Sequence, residues 1–299
     1  MECTAAPAKT ALTSRNKWIA GARLPTLPAA IVPVLVGTAA AGEPYRFDRA
    51  ALAAFVALGI QIGCNYANDY SDGIRGTDKH RTGPMRLVAS GAATPAAVLR
   101  AAVIAFAAAA AVGIWLSLQV DPRLIVVGFA AIAAAWFYTG GPKPYGYFGY
   151  GEALCFIFFG LVGTLGSTYV QHGSFTLISL LASLAVGSLT TALLVANNLR
   201  DIPGDRASGK RTLAVKIGDR ATRQLYLALL GAAALATLAI GLHRPVALVA
   251  LVAAAAAVRP IQVVRSGATG KALVPVLIDT GRMELAFGVL FFVSLSLSQ

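Results

Sequence analysis

The fold of this protein is decided by segments such as residues 176–199, TLISLLASLAVGSLTTALLVANNL, which contain no charged side chain. As an α-helix this segment extends for about 36 Å, more than the roughly 30 Å of hydrocarbon in a bilayer. The comparable apolar segments lie at 18–41, 50–70, 95–119, 122–140, 150–171, 176–199, 221–242, 245–264 and 280–298. The sequence therefore predicts an all-α, multi-span transmembrane bundle of nine helices, because a lipid-exposed backbone must satisfy its own hydrogen bonds.

The composition places the chain in a membrane rather than in water. Hydrophobic residues make up 57% of the chain and charged residues only 13%, and the mean hydropathy is +0.69. Soluble domains carry a charged share nearer to about 25%, so a soluble enzyme is excluded. We expect one domain over residues 1–299, of which residues 1–16 form a cytoplasmic tail.

The basic residues indicate both the partners and the orientation. The net charge is +12, but the basic residues lie between apolar runs without a nucleic-acid motif. We therefore expect membrane lipid or a phosphorylated substrate as partner, and no nucleic acid. When each Lys and Arg is assigned to its nearest loop, 21 of the 25 fall on one side. The positive-inside rule makes that side cytoplasmic, with the N-terminus inside and the C-terminus outside. Its two longest loops, after the second and sixth spans, are expected to be functional.

The first long loop follows the sequence CNYANDYSDGIRGTD, residues 64–78. On a helix, residues three and four positions apart share a face, so this spacing predicts a polar stripe at the cytoplasmic end of the second span. The stripe consists of Asn65, Asn68, Asp69 and Asp72, and Asp78 follows it. Gly73 is expected to end the helix.

The second long loop contains NNLRDIPGDRASGKRT, residues 197–212. Asn197, Asp201 and Asp205 are spaced by four residues, so they form a second polar stripe at the end of the sixth span. Pro203 is expected to kink or end this helix.

The two stripes together favour a metal and diphosphate site. Carboxylates on one face repel each other and need a compensating cation. Oxygen ligands without His or Cys favour Mg²⁺, which commonly takes carboxylates together with phosphate oxygens and water. Neighbouring basic residues would then clamp a diphosphate. They are Arg75, Lys79, Arg81 and Arg86 in the first loop and Arg200, Arg206, Lys210 and Arg211 in the second. The alternative is that these residues are solvated loop charges and helix caps.

Longer stretches of sequence resemble a known family. NDYSDGIRGTD and DIPGD resemble the two acidic motifs of the UbiA superfamily of intramembrane prenyltransferases. GTDKHRTGPMRLVASG, YTGGPKPYGYFGYGE and NNLRDIPGDRASGKRTLAV resemble its menaquinone branch. The resemblance implies an enzyme in the cell membrane of a prokaryote. It would transfer the polyprenyl group of an allylic polyprenyl diphosphate to 1,4-dihydroxy-2-naphthoate, releasing carbon dioxide and diphosphate and giving demethylmenaquinol.

The resemblance also implies roles for individual residues. Two Mg²⁺ would be bound by Asn68, Asp72, Asp201 and Asp205, with Asp69 and Asp78 as further candidates; Asp78 follows Asp72 by six residues rather than the superfamily's four. Asn65 and Asn197 would contact substrate, and Tyr138 and Tyr145 would line an allyl pocket. Lys143 or Arg200 would receive the acceptor carboxylate, and Glu152 would orient an acceptor hydroxyl or act as a base.

Two alternatives remain open. The first is the same chemistry on another aromatic acceptor, such as 4-hydroxybenzoate, homogentisate or a chlorin. The second is an ion-coupled transporter. Carboxylates at helix ends, rather than in the middle of the membrane, argue against transport.

Overall fold

The computed structural model describes residues 14–77 and 85–297, and all regular structure in those two ranges is helical. The α-helices are α1 (Ser14–Ala22), α2 (Pro28–Ala41), α3 (Phe47–Arg75), α4 (Pro95–Val120), α5 (Leu124–Phe137), α6 (Gly151–Cys155), α7 (Gly166–His172), α8 (Leu177–Ala207), α9 (Leu213–Gly241), α10 (Val258–Arg265) and α11 (Val274–Ser296). A π-helix, Phe156–Leu165, joins α6 to α7, and a 3-10 helix, Pro245–Ala257, precedes α10. The prediction of an all-helical fold is confirmed.

Fewer helices than the nine predicted are long and apolar enough to count as membrane spans. Within the described ranges, six helical segments are long and apolar enough to cross a bilayer, and a seventh is obtained if one bent pair counts as a single span. The six are α3, α4, Gly151–His172, α8, α9 and Pro245–Arg265. The predicted span 122–140 corresponds to α5, whose 14 residues cover only about 21 Å.

The first span is bent. Lys17–Thr26 and Pro28–Ala41 meet at 47°. The two segments are separated by Leu27, and within the first of them Arg23 has the left-handed backbone angles φ 56° and ψ 64°. Pro33 lies inside α2, which continues to Ala41. The bend therefore precedes Pro33.

The helix that carries the second acidic motif lies at the centre of the bundle. In the apolar part of α8, 67% of the residues are buried, against 28% in each of the other five long segments. Ala185, Val186 and Leu189 of α8 pack with Val32 of α2 and Phe291 of α11 in the main apolar core. The other long helices expose apolar faces, as lipid contact requires.

The structure corrects two predicted helix ends. Gly73 does not terminate its helix, because α3 continues to Arg75 and ends at Gly76, whose φ of 72° is the left-handed cap conformation. A Cβ at Gly73 would collide with the side chain of Val88, so this glycine permits close packing. Pro203 does not end α8, which continues to Ala207. Proline removes one intrahelical hydrogen bond. The hydrogen bonds that remain are enough to continue α8 beyond Pro203.

The predicted span 150–171 is one helical segment with a change of winding in the middle. Its ten central residues, Phe156–Leu165, form the π-helix. Gly160 of that segment packs directly against Gly187 of α8, where a Cβ would meet the Gly187 backbone. π-Helical turns are rare and occur frequently at functional sites.

Candidate active site

A cavity of about 850 Å³ lies inside the bundle. Most of its wall is apolar. Its polar lining residues include Arg23, Gln61, Asn65, Arg86, Asn197 and Arg200. Asn65 belongs to the first acidic motif and Asn197 to the second, so the cavity reaches both. An apolar cavity with a few convergent polar groups is typical of a small-molecule site.

Asp72 is surrounded by hydrogen-bond donors and positive charge. Its carboxylate accepts a hydrogen bond of 2.5 Å from the hydroxyl of Tyr147 and one of 3.0 Å from the ammonium of Lys210. The guanidinium of Arg86 lies 3.8 Å away. The Asp72 side chain is only 2% exposed. The predicted clamp residues Lys210 and Arg86, which come from different loops, therefore meet at one predicted metal ligand.

Tyr147 is a site residue that the acidic and basic motifs do not predict. Its ring lies under the Lys210 ammonium, 4.7 Å from nitrogen to ring centroid. Burial and the negative charge of Asp72 raise the pKa of the Tyr147 phenol above its usual value of about 10. The hydroxyl therefore stays protonated at neutral pH and donates to Asp72. The sequence feature that could have indicated Tyr147 is the aromatic-rich segment YGYFGY, residues 145–150, which follows α5.

The second motif is neutralised within α8. Arg200 donates to both carboxylate oxygens of Asp201, at 2.7 Å each, and to the side-chain oxygen of Asn197 at 2.8 Å. Arg200 is 3% exposed, so this bidentate pair lies away from water. Asp205 is partly buried, and its carboxylate accepts a 3.5 Å hydrogen bond from Thr212.

The remaining first-motif residues contact other helices and loops. The side-chain oxygen of Asn68 accepts a 2.7 Å hydrogen bond from Thr139, and the amide of Asn65 donates to the carbonyl of Ala22 at 2.9 Å. Asp69 accepts hydrogen bonds from two backbone N–H groups, those of Leu87 at 2.8 Å and Val88 at 3.0 Å. Asp69 thus anchors the chain where it returns from the first long loop.

The segment after α5 is held by both long loops. The Arg75 guanidinium donates to the carbonyls of Thr139 and Gly141 and lies 5.5 Å from the Tyr147 ring centroid. The backbone N–H of Arg211 donates to the carbonyl of Tyr147 at 2.9 Å, while the Arg211 residue is exposed. These contacts fix Tyr147 between the two motifs.

The structure places the other predicted residues as follows. Tyr138 and Tyr145 line the cavity with their ring centroids 5.5 Å apart, edge to face. Glu152 is buried and accepts a 2.9 Å hydrogen bond from Asn198, an asparagine of the second motif. Lys143 is exposed and is not part of the cavity wall. The predicted residues Asp78, Lys79 and Arg81 lie outside the described residues.

The donor set fits Mg²⁺ in chemical type. Asn68, Asp72, Asp201 and Asp205 offer only amide and carboxylate oxygens, which are hard ligands. In the described parts of the chain, no three His, Cys, Asp or Glu side chains form a group that could hold a metal ion. Asp72 and Asp201 instead contact cationic side chains. A metal ion at these residues would need oxygens from substrate phosphate or water to complete its coordination, as Mg²⁺ commonly does.

Comparison with known proteins identifies the class. The UbiA prenyltransferase family matches residues 30–273. The chain is 49% identical to the 1,4-dihydroxy-2-naphthoate octaprenyltransferase of Mycobacterium tuberculosis over 93% of its own length and 96% of that protein. It is 35% identical to the Escherichia coli protein of the same name, over 96% and 97%. The chain belongs to the UbiA prenyltransferase family.

Solved structures agree on the fold. A UbiA homolog from Archaeoglobus fulgidus bound to GPP and Mg²⁺ superposes with a TM-score of 0.70 at 13% identity, covering 94% of this chain and 99% of that one. A UbiA homolog from Aeropyrum pernix gives a TM-score of 0.64 at 18% identity, covering 96% and 99%. Both structures therefore show that this chain has the helical fold of that family.

Proposed function

We propose that this protein transfers the polyprenyl group of an allylic polyprenyl diphosphate to 1,4-dihydroxy-2-naphthoate, with loss of carbon dioxide and diphosphate, giving demethylmenaquinol. The observation that carries the prenyl-transfer step is the environment of Asp72, where groups from both long loops and from the segment after α5 meet. The Mycobacterium tuberculosis relative, matched over nearly the whole chain, supports the acceptor. Membership in a prenyltransferase family removes the support for the transporter alternative.

We propose that Mg²⁺ is bound by Asn68, Asp72, Asp201 and Asp205, with two ions as the expected number. Mg²⁺ there supplies positive charge that stabilises the departing diphosphate more than the intact ester. Lys210 and Arg86 already lie beside Asp72 and would bind phosphate oxygens with it. Asp69 is assigned a different role, because its two oxygens anchor the backbone at Leu87 and Val88.

The cavity supplies the conditions for an allylic cation. Its walls are mostly apolar, which keeps the cation from reacting with water. The rings of Tyr138 and Tyr145 line it, and aromatic faces attract positive charge. The hydroxyl groups of the naphthoate make its ring electron-rich, so the ring carbon attacks the cation.

The loss of carbon dioxide follows from the product of that attack. Alkylation at the carbon that bears the carboxylate gives the keto form of a β-keto acid. The bond to the carboxylate then breaks, its electron pair returns to the ring, and carbon dioxide leaves without a further cofactor. Glu152, buried beside Asn198, is proposed to orient an acceptor hydroxyl.

The membrane arrangement completes the proposal. All nine apolar segments coincide with helices of the described chain, and we propose that all nine cross or enter the membrane. The distribution of Lys and Arg supports a cytoplasmic N-terminus and cytoplasmic acidic loops. Both loops must lie on one side, since the segment between α5 and α6 contacts Arg75 and Arg211 together.

The test is a membrane assay with labelled polyprenyl diphosphate and two competing acceptors, 1,4-dihydroxy-2-naphthoate and 4-hydroxybenzoate. Product should form from the naphthoate and require Mg²⁺. A clear preference for 4-hydroxybenzoate would contradict the acceptor and leave the metal chemistry intact. Formation of product in the presence of a chelator would contradict the metal sites.

A further inference from the structure

Arg23 has an unusual backbone conformation in the connection between α1 and α2, just before the bend of the first span. Its backbone has a φ of 56°, a left-handed conformation that is uncommon for any residue other than glycine, asparagine or aspartate. Within the described ranges, every other residue with a positive φ is a glycine. Such conformations occur preferentially at functional sites. The side chain lines the cavity.

The Arg23 guanidinium has an unsatisfied donor inside the protein. Its Nη2 atom is buried without a hydrogen-bond partner. Two other arginines line the same cavity, but Arg86 lies beside Asp72 and Arg200 makes a bidentate pair with Asp201. Among the described residues, no carboxylate lies within ion-pair distance of Arg23. Arg23 as a residue is partly buried, but a buried N–H donor of a charged group without a partner is unfavourable, so the site is suited to an anionic ligand.

The contacts beside Arg23 show where it lies along α3 relative to Asp72. The neighbouring carbonyl, that of Ala22, accepts a hydrogen bond from Asn65, and Thr26 accepts from both Asn65 and Gln61. Asn65 precedes Asp72 by seven residues on α3, which is about 10 Å along a helix axis. The connection between α1 and α2 is therefore packed against α3 about two turns from Asp72 and just under one turn from the proposed ligand Asn68.

We propose that Arg23 binds the carboxylate of the aromatic acceptor. Guanidinium binds carboxylate through two parallel hydrogen bonds and so fixes the orientation of an acceptor ring as well as its charge. The other candidates are less suited: Lys143 is exposed, and Arg200 is already paired. This inference rests on the proposed function only in taking the acceptor to be an aromatic carboxylate.

The experiment measures equilibrium binding to the purified full-length protein without prenyl diphosphate. The probes are 1-hydroxy-2-naphthoate and 1-naphthol, which differ in the carboxylate. Arg23→Gln should weaken binding of the naphthoate about a hundredfold, because a buried carboxylate loses its cation, and should change 1-naphthol binding by less than about threefold. In turnover assays the KM for 1,4-dihydroxy-2-naphthoate should rise while the KM for the prenyl diphosphate stays within about threefold.

Further variants separate the side chain from the backbone. Arg23→Gly retains the freedom to adopt the left-handed conformation, so it should fold and show the same loss of naphthoate binding. Arg23→Lys should restore part of that binding through its remaining charge. Arg100→Gln, at an exposed position of α4, is the matched control and should bind both probes normally.

Two results would overturn the proposal. One is a preference for the carboxylate probe that survives in both Arg23→Gln and Arg23→Gly. The other is an equal rise in KM for the prenyl diphosphate, which would place Arg23 in the diphosphate clamp. Failure of the proposed function is distinguishable, because it would be seen as absence of naphthoate prenylation by the unmodified protein.

Discussion

Substitution of Asp72 by Asn should separate the catalytic role of this carboxylate from its structural one. The change keeps the shape of the side chain and an oxygen that accepts from Tyr147, but it removes the negative charge. We expect turnover to fall by at least about a hundredfold, because the variant lacks a charged ligand at the site that stabilises the leaving diphosphate. This corresponds to about 3 kcal/mol of transition-state stabilisation.

The same substitution has a predictable effect on stability. The Asp72, Arg86 and Lys210 side chains are 2%, 7% and 11% exposed, so solvent screens their interaction little. Removal of the anion leaves two buried cations, which should lower the free energy of unfolding by about 3 kcal/mol. The double variant Asp72→Asn, Lys210→Met should regain part of that stability and none of the activity.

The assay is turnover of labelled prenyl diphosphate over a range of Mg²⁺ concentrations, together with thermal unfolding in the same detergent. Asp48→Asn is the matched control, because Asp48 lies in the first turn of the same helix and its side chain is 57% exposed. The control should retain full activity. Near-normal turnover of Asp72→Asn at limiting Mg²⁺ would refute the reasoning, as would recovery of activity in the double variant.

Three further predictions use the same assay or a labelling experiment. Asp201→Asn should also reduce turnover by at least about a hundredfold; a rate close to that of the unmodified protein would remove Asp201 from the metal site. Tyr147→Phe should reduce turnover about tenfold, because it removes a hydrogen bond to a buried charged group, and an unchanged rate would show that Asp72 needs no such positioning. A cysteine introduced by Ser208→Cys should react with impermeant thiol reagents from the cytoplasmic side and one introduced by Gly173→Cys from the outside; labelling of both from the same side would contradict the topology.

The sequence predicts those features of the site that depend on helical periodicity. The spacing of Asn65, Asn68 and Asp72 places them on one face of α3, and in the structure all three are buried and Asn65 lines the cavity. The spacing of Asn197, Asp201 and Asp205 likewise places them on one face of α8, and Asn197 lines the cavity. These patterns involve residues only a few positions apart, so they can be read from a single sequence.

The sequence does not predict the partners of those side chains. The role of Asp69 depends on the backbone of Leu87 and Val88, which returns to α3 after the first long loop. Arg75, which the pattern of charges places in a diphosphate clamp, donates to carbonyls of the segment after α5. These contacts join residues far apart in the chain, and charge patterning carries no information about which of them meet.

The sequence also does not predict the irregularities of the backbone. The π-helix at Phe156–Leu165 and the left-handed Arg23 result from packing between helices rather than from local preference. Gly160 and Gly187 permit the close approach of the π-helix to α8. Arginine has no preference for the left-handed conformation, so the sequence around Arg23 does not predict it.

The central claim is that the acceptor loses its carboxylate when it is prenylated. The most direct test measures released carbon dioxide, released diphosphate and prenylated product in one reaction with carboxyl-labelled 1,4-dihydroxy-2-naphthoate. The account predicts equal molar amounts of all three and no label in the product. A prenylated product that retains the labelled carboxylate would contradict it.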